Sequence, residues 1–396
     1  MKKKIFIGLS GGAGPMIRCL PVAIELKKRG YEIYYYSRDY SKHYYNMYGF
    51  HQVNVTYPKR YDAGLGTTEK WVDLEHFAAT YENDYSYFCV KYNTWIKYME
   101  ELKPDLIISD FSLGSTISGL VLNIPIVSIS QACYLYTIKN DKKIRWWDNS
   151  IKPKECMVLD NLNRFLKSHN INGYEIFEQI FLENKVFIPS IPEFDTLNSM
   201  DDKVEYVGPI LWEGYNKSDI IERKSGKKIF VYLGRLTDTC GDTGILIYNI
   251  IKEIAQESNV QFILSNGNFD NIEDPGIENI LVNREWLSVR EIYTSHDLII
   301  HHGGHNSCIA SLVYGTPSII IPTHTEREFN ARNMENIGAG KMVLPERASG
   351  ETTKKVIKEL LENKIYKNKC LYYKEKIENL KMDGKNRIVE YITKCI

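Results

Sequence analysis

The sequence predicts an α/β protein with two doubly wound domains, each a parallel sheet covered by helices. Short apolar runs of strand length alternate with stretches of helical periodicity in both halves of the chain. The alternation restarts at residues 228–234, directly after a charged stretch, as the first strand of a second domain would. The 396 residues also exceed what one hydrophobic core usually serves.

The first half begins with a strand, a glycine-rich loop and a helix that Gly30 ends. Two later apolar runs are typical of buried parallel strands flanking a short helix. The predicted strands lie at residues 4–9, 31–37, 105–109 and 124–129, the loop at 10–15, and the helices at 16–29 and 114–122.

The second half continues the pattern after a boundary predicted at residues 201–228. Its further predicted strands lie at residues 260–264, 280–282, 298–301 and 318–321. Each is short and apolar, as strands buried on both faces of a parallel sheet are.

Composition narrows the function classes. Lys plus Arg and Asp plus Glu are both 50, so no overall field for nucleic acid or anionic membrane is expected. The apolar run after the amino-terminal lysines is too short for a signal peptide, and no later run is long enough to span a membrane. The eight cysteines are dispersed without a C-x-x-C pair, as reduced thiols are. These features predict a cytoplasmic enzyme.

The segment 301–330 carries the chemistry. A buried strand ends in His301, His302 and two glycines, and a helix follows from Ser307 until Gly315 ends it. The first-turn N–H groups of such a helix are unpaired and lie at the positive end of its dipole. The sequence therefore predicts a phosphate site at this turn.

The same segment resembles the donor-binding signature of inverting glycosyltransferases, including the macrolide and glycopeptide-antibiotic enzymes, the UDP-glucuronosyltransferases and the plant secondary-product enzymes. The plant form has H-C-G-W-N-S where this chain has the sequence that starts at His302. The matching positions are Trp286, His302, Gly304, Asn306, Ser307, Gly315, Pro317, Pro322, Glu326 and Asn330. Ser288 and Val289 depart from the family's W-x-P-Q pattern.

This resemblance implies the GT-B fold, two Rossmann-like domains facing across a cleft. It implies an acceptor-binding domain at residues 1–210, a nucleotide-sugar-binding domain at 228–380, and a final helix at 381–396 that packs on the first domain. The implied activity moves a sugar, with inversion, from a UDP- or dTDP-sugar to a small natural-product-like acceptor. The implied hexosyltransferase uses no metal and no cofactor, because the nucleotide sugar is a co-substrate.

The resemblance also implies the donor-site residues. Those expected at the diphosphate and nucleoside are Trp286, His302, Gly304, Asn306, Ser307, Gly234 and Arg235. Those expected at the sugar are Glu326, Arg327 and Asn330. Arg327 replaces the family's Gln and only donates, which favours a sugar with a carboxylate or carbonyl group unless it pairs with Glu326 or Glu328. Arg235 is either a phosphate contact or a solvated loop residue.

Two other kinds of site were weighed. His301, His302 and His305 raise the question of zinc, but the glycines between them break the helical face that would converge their rings. The loop containing Gly12 and Gly14 has two glycines of a dinucleotide fingerprint, yet Ile17 stands at the third and no acidic residue follows at the usual place. Neither a metal nor a dinucleotide is expected.

The chain departs from its family at the catalytic base. The family's histidine falls at Pro15, whereas its partner carboxylate is retained as Asp110. Asp110 is the candidate to perform or support deprotonation if burial raises its basicity, or it caps the helix that starts near Ser112. A third hypothesis is that the acceptor needs little deprotonation, so that the reaction proceeds without the family's histidine.

One further stretch of the first half bears on the acceptor. Residues 139–154, with two tryptophans among basic residues, are a candidate acceptor lid or peripheral membrane contact, or else a solvated loop. Two rival functions stay open: a degenerate partner protein that only binds nucleotide sugar, and a nucleotide-sugar epimerase of the same fold. Pro15 favours the first rival, whereas Trp286 and Glu326 favour transfer over the second.

Overall fold

A computed structural model gives the architecture of the chain. It describes residues 2–10, 13–36, 41–56, 74–135, 156–197, 200–214, 226–236, 242–256, 260–266, 271–284 and 287–396. These residues form two compact units, Met1–Ile210 with Met382–Ile396, and Leu211–Lys381.

The first unit contains a seven-stranded parallel sheet. Its strands are β1 (Lys4–Leu9), β2 (Glu32–Tyr36), β3 (His51–Gln52), β4 (Leu106–Asp110), β5 (Ile126–Ile129), β6 (Lys185–Ile188) and β7 (Val204–Tyr206). Its helices are α1 (Ala13–Lys28), α2 (Ser41–Met47), α3 (Leu74–Glu82), α4 (Tyr85–Leu102), α5 (Leu113–Leu122) and α6 (Val158–Ser168). Short 3-10 turns occupy Ala132–Tyr134 and Phe177–Phe181.

The second unit contains a six-stranded parallel sheet. Its strands are β8 (Lys228–Tyr232), β9 (Gln261–Ser265), β10 (Ile280–Val282), β11 (Leu298–His301), β12 (Ser318–Ile320) and β13 (Gly340–Met342). Its helices are α7 (Thr243–Ala255), α8 (Val289–Ser295), α9 (His305–Tyr314), α10 (Thr325–Asn336), α11 (Gly350–Glu362) and α12 (Lys364–Leu380), with a 3-10 turn at Pro345–Arg347.

Both sheets have the same strand order. The first runs β3-β2-β1-β4-β5-β6-β7 and the second β10-β9-β8-β11-β12-β13, so the first sheet has the order of the second plus one further strand. In each sheet the order in which successive strands are added reverses after the third strand, between β1 and β4 and between β8 and β11. Ligands of such sheets bind beyond the carboxyl ends of the strands at this switch point. A ligand site is therefore expected at the carboxyl ends of β1 and β4 in one unit and of β8 and β11 in the other.

A last helix, α13 (Gly384–Cys395), belongs to the first unit, where it packs against α1. Arg387 of α13 makes two hydrogen bonds of 2.6 and 3.0 Å to Glu205 on β7. Gly384 lies so close to the chain at β7's end that an added Cβ would stand 2.8 Å from the Gly208 carbonyl oxygen.

The predicted strands and helices of both sheets are present, with shifts at their ends. α1 begins at Ala13, within the predicted loop. Its first turn can include Pro15 because the N–H that proline lacks has no partner within the helix at that position. β4 includes Asp110, one residue beyond the predicted strand. Within the described part of the chain, no helix is long and apolar enough to cross a bilayer, and the seven cysteines described are free thiols.

Candidate functional site

The turn after β11 is held from two sides. The Gly303 N–H donates to Nδ1 of His301 at 3.0 Å, and Nδ2 of Asn330 donates to the Gly303 carbonyl oxygen at 2.9 Å. Gly303 has φ +95°, and a Cβ there would stand 2.8 Å from the Arg327 carbonyl oxygen. The turn therefore requires glycine and packs directly on α10. His301 and Asn330 are positioning residues for the peptide that precedes α9.

His302 projects from this clamped turn and lies against the end of β8. A Cβ on Gly234 would stand 2.8 Å from Cε1 and Nδ1 of the imidazole, so the missing side chain makes room for the ring. The ring of Tyr232 lies 5.5 Å away, centroid to centroid. Among the described residues, the buried Nδ1 of His302 has no hydrogen-bond partner.

Three histidines at this switch point are held neutral. Burial lowers the pKa of His301 to about 3, and because its Nδ1 accepts the Gly303 N–H, the ring proton is on Nε2. Burial, followed by the charge of Arg327, lowers the pKa of His302 and of His324 well below the usual range. A neutral imidazole keeps one donor and one acceptor for a ligand.

Arg327 supplies the positive charge of the cluster. Its Nη1 donates to the hydroxyls of Thr243 at 3.3 Å and Thr323 at 3.1 Å, which joins the first turn of α10 to that of α7. Glu328 is engaged by Arg332, with contacts of 2.9 and 2.6 Å. Glu326 lies in the first turn of α10 and is partly exposed.

The amino terminus of α9 brings the remaining donor-site candidates together. Gly304 is the residue that precedes the helix, and Asn306 and Ser307 lie in its first turn. Gly304 approaches His302 closely, since its Cβ would stand 3.1 Å from Nε2. Arg235 directly follows Gly234 at the end of β8. Trp286 and residues 139–154 lie outside the described residues.

Asn330, predicted as a sugar contact, is tied to the turn that precedes α9. It is fully buried, and its amide nitrogen is committed to Gly303. Its amide oxygen is buried and has no hydrogen-bond partner among the described residues, so the expected sugar contact stays a prediction.

The other switch point contains a buried ion pair. Nε and Nη2 of Arg18 on α1 donate to the two carboxylate oxygens of Asp110, each at 2.9 Å. Burial opposes the charge of Arg18, but the charge and hydrogen bonds of Asp110 outweigh burial and raise the pKa of Arg18. The capping alternative is not observed, because Ser112 precedes α5 and the Asp110 side chain binds Arg18 instead.

The groups around the pair are polar and enclosed. The Cys19 thiol lies 3.8 Å from an Asp110 oxygen, and burial raises the pKa of Cys19 and of Tyr45 well above their usual values. Pro15 is buried one turn before Arg18 on the same helix. Asp110 is thus a carboxylate with both oxygens occupied by a permanent cation.

Sequence reasoning missed Arg18. Val22 and Leu26 follow it at intervals of four residues and are fully buried, so Arg18 occupies the apolar stripe of α1. A charged residue on such a stripe was the available signal, since a buried charge needs a partner. Among the residues described, no group of three or more His, Cys, Asp or Glu side chains is arranged to hold a metal ion.

Comparison with known proteins finds similarity to glycosyltransferases. An uncharacterized glycosyltransferase of Methanosarcina mazei is 24% identical over 99% of this chain and 98% of its own length. The NDP-glycosyltransferase YjiC of Bacillus subtilis is 26% identical over 61% of this chain and 62% of its own. The crystal structure of spinosyn rhamnosyltransferase SpnG complexed with thymidine diphosphate has a TM-score of 0.74 at 15% identity, covering 99% of this chain and 100% of that one.

The chain therefore has the GT-B fold and is similar to glycosyltransferases, as the resemblance implied. Within that class, residues 268–379 match the family of the erythromycin biosynthesis protein CIII-like C-terminal domain. The match covers the region from β10 to α12, which includes the clamped turn, His302 and the first turn of α10.

Proposed function

We propose that this protein transfers a sugar from a UDP- or dTDP-sugar to a small-molecule acceptor, with inversion and without a metal. The observation that supports this most is the clamped Gly303 turn, which presents a neutral His302 and the amino terminus of α9 at one switch point. Helix amino termini bind phosphate through unpaired N–H groups and the helix dipole. The similar protein SpnG was crystallised with thymidine diphosphate.

In the proposed reaction an acceptor atom bonds to the anomeric carbon as the bond from that carbon to the diphosphate oxygen breaks. Negative charge grows on the leaving diphosphate, so the protein's main task is to stabilise it. His302, Asn306 and Ser307 are the proposed diphosphate contacts, with Trp286, Gly304, Gly234 and Arg235 completing the nucleotide site. Glu326 and Arg327 are proposed to bind the sugar, and Asn330 to act on the sugar site through the Gly303 turn.

Asp110 is proposed to support catalysis rather than to accept the acceptor's proton. Both of its oxygens bind Arg18, and a guanidinium does not release its proton. To accept a further hydrogen bond from the acceptor, Asp110 would have to share an oxygen that Arg18 already binds. Loss of general base catalysis typically slows a reaction about 10²–10⁴-fold without abolishing it.

The test is nucleotide binding by matched histidine variants. His302 directly follows β11 and His296 lies two residues before it, so they mark opposite ends of one strand. A hydrogen bond to a charged group contributes about 1.5–3 kcal/mol. His302→Ala should therefore weaken UDP or dTDP binding about 10- to 150-fold in calorimetry, whereas His296→Ala should leave it unchanged. If UDP and dTDP each bind His302→Ala as tightly as they bind wild type, the donor site is refuted.

The paired state of Asp110 favours one second candidate, a protein that binds nucleotide sugar but does not transfer it. Product analysis by mass spectrometry separates the two functions. Incubation with mixed UDP- and dTDP-sugars and an extract of the source cell should yield glycosylated products that are missing with His302→Ala. Nucleotide binding without any product would support the non-catalytic candidate.

A further inference from the structure

The guanidinium of Arg18 has one nitrogen that the ion pair does not use. Nε and Nη2 bind Asp110, whereas the buried Nη1 has no hydrogen-bond partner among the described residues. Arg18 is only 1% exposed. Buried donors are almost always paired in native proteins, so an unpaired guanidinium nitrogen at a switch point indicates a missing partner.

Nη1 faces the amino terminus of α1. A Cβ added to Gly14 would stand 3.2 Å from Nη1 and 3.9 Å from Cζ and Nη2 of Arg18. The space in front of Gly14 is therefore within hydrogen-bond distance of Nη1. Gly14 is partly exposed, whereas Nη1 of Arg18 is buried.

The local charge favours an anion in this space. α1 has sixteen residues and no acidic residue in its first turn, so the positive end of its dipole is not compensated there. The charge of Asp110 is balanced by Arg18, which binds both of its oxygens. An oxyanion would satisfy Nη1 with a charge-assisted hydrogen bond.

We propose that the amino terminus of α1, together with Nη1 of Arg18, binds an oxyanion carried by the acceptor, a carboxylate or a phosphate monoester. Assigning the oxyanion to the acceptor rests on the proposed transferase function, whereas the anion site itself does not. The site gives the acceptor a chemical class: an acidic small molecule, oriented by its anionic group. Arg18 is then a binding residue on the acceptor side as well as the partner of Asp110.

The test uses benzoate and phenyl phosphate as probes and benzyl alcohol as the neutral analogue, with binding followed by ligand-observed saturation-transfer NMR. The key variant is Gly14→Ala, which places a methyl group 3.2 Å from Nη1 and retains both Arg18 and Asp110. Alanine is favoured over glycine inside a helix, so this variant should fold. Arg29→Gln is the control, because it removes the same charge from the other end of α1.

At least one anion should bind wild type and Arg29→Gln at least tenfold more tightly than benzyl alcohol does, and Gly14→Ala should lose that preference. Preference for benzoate or for phenyl phosphate identifies the oxyanion as carboxylate or phosphate. The proposal is overturned if neither anion binds wild type, or if Gly14→Ala binds as wild type does. The same samples are titrated with UDP and dTDP: nucleotide binding without anion binding overturns the anion site alone, and the reverse result overturns the donor site alone.

Discussion

Replacing Arg18 and Asp110 singly and together tests whether the pair is one buried electrostatic unit. Arg18→Gln leaves a carboxylate without its cation, and Asp110→Asn leaves the cation without its carboxylate. The double variant Arg18→Gln with Asp110→Asn replaces the ion pair by two neutral amides that still hydrogen-bond. The side chains of Arg18 and Asp110 are 1% and 0% exposed, so water cannot solvate the charge that either single variant leaves behind.

The expected magnitude follows from this burial. Removing one partner of a buried ion pair typically costs about 3–5 kcal/mol, because the remaining charge is uncompensated. Each single variant should therefore lose about that much free energy of unfolding, whereas the double variant, which leaves no charge behind, should lose less than the sum of the two by at least about 2 kcal/mol.

The two single variants should also differ in pH dependence. The unpaired carboxylate in Arg18→Gln can take up a proton, so the folded variant binds more protons than the unfolded chain and becomes more stable as the pH falls from 8 to 5. The guanidinium in Asp110→Asn cannot lose its proton. The difference in free energy of unfolding between this variant and wild type should therefore not change between pH 8 and 5.

Urea unfolding followed by circular dichroism at pH 5, 6.5 and 8 gives these free energies. The reasoning fails if the two single effects add up to the double effect, since the residues would then not interact. It also fails if Arg18→Gln and Asp110→Asn respond to pH alike. A stable Arg18→Gln variant at pH 8 would mean that water reaches Asp110.

Two further predictions concern the donor site. Because burial lowers the pKa of His301, His302 and His324, the unfolded chain binds more protons than the folded protein below pH 6.5, so stability should fall with falling pH by up to about 1.4 kcal/mol per ring and pH unit. Unfolding curves between pH 7 and 5 check this, and a flat profile contradicts it. Gly234→Ala should weaken UDP binding because its methyl group would stand 2.8 Å from the His302 ring, whereas Gly276→Ala has the same positive φ but no atom within 4 Å and should bind normally. Equal affinities in calorimetry would show that Gly234 does not position His302.

Much of the fold was predictable because parallel strands and their helices leave strong periodic patterns. The apolar runs at β1, β8 and β11 are short and continuous. A glycine-rich stretch follows β1 and β11 in the sequence, and the single Gly234 follows β8. Element ends were less predictable: the loop composition of residues 13–15 concealed the first turn of α1, since proline and glycine are common in both settings.

The candidate site was predictable only where its residues are neighbours in sequence. His302, Gly304, Asn306 and Ser307 form one turn, so their pattern alone marked it. The partnership of Arg18 with Asp110 joins residues 92 positions apart, and no local pattern reports such a distance. The placement of the Gly234 backbone under the His302 ring likewise depends on two strands meeting, which sequence spacing does not reveal.

Because α13 returns to the first unit, the two units can complete their folding at different times during synthesis. The chain leaves that unit after Ile210, forms the whole second unit, and comes back at Met382. During synthesis the surface of α1 that α13 covers must wait while about 170 further residues are translated, at roughly 5–20 residues per second. The second unit, continuous in the chain, has no such delay. Nascent chains that stall before residue 382 would therefore carry a complete second unit and an incomplete first unit, and the first unit would be the first target of chaperones and proteases.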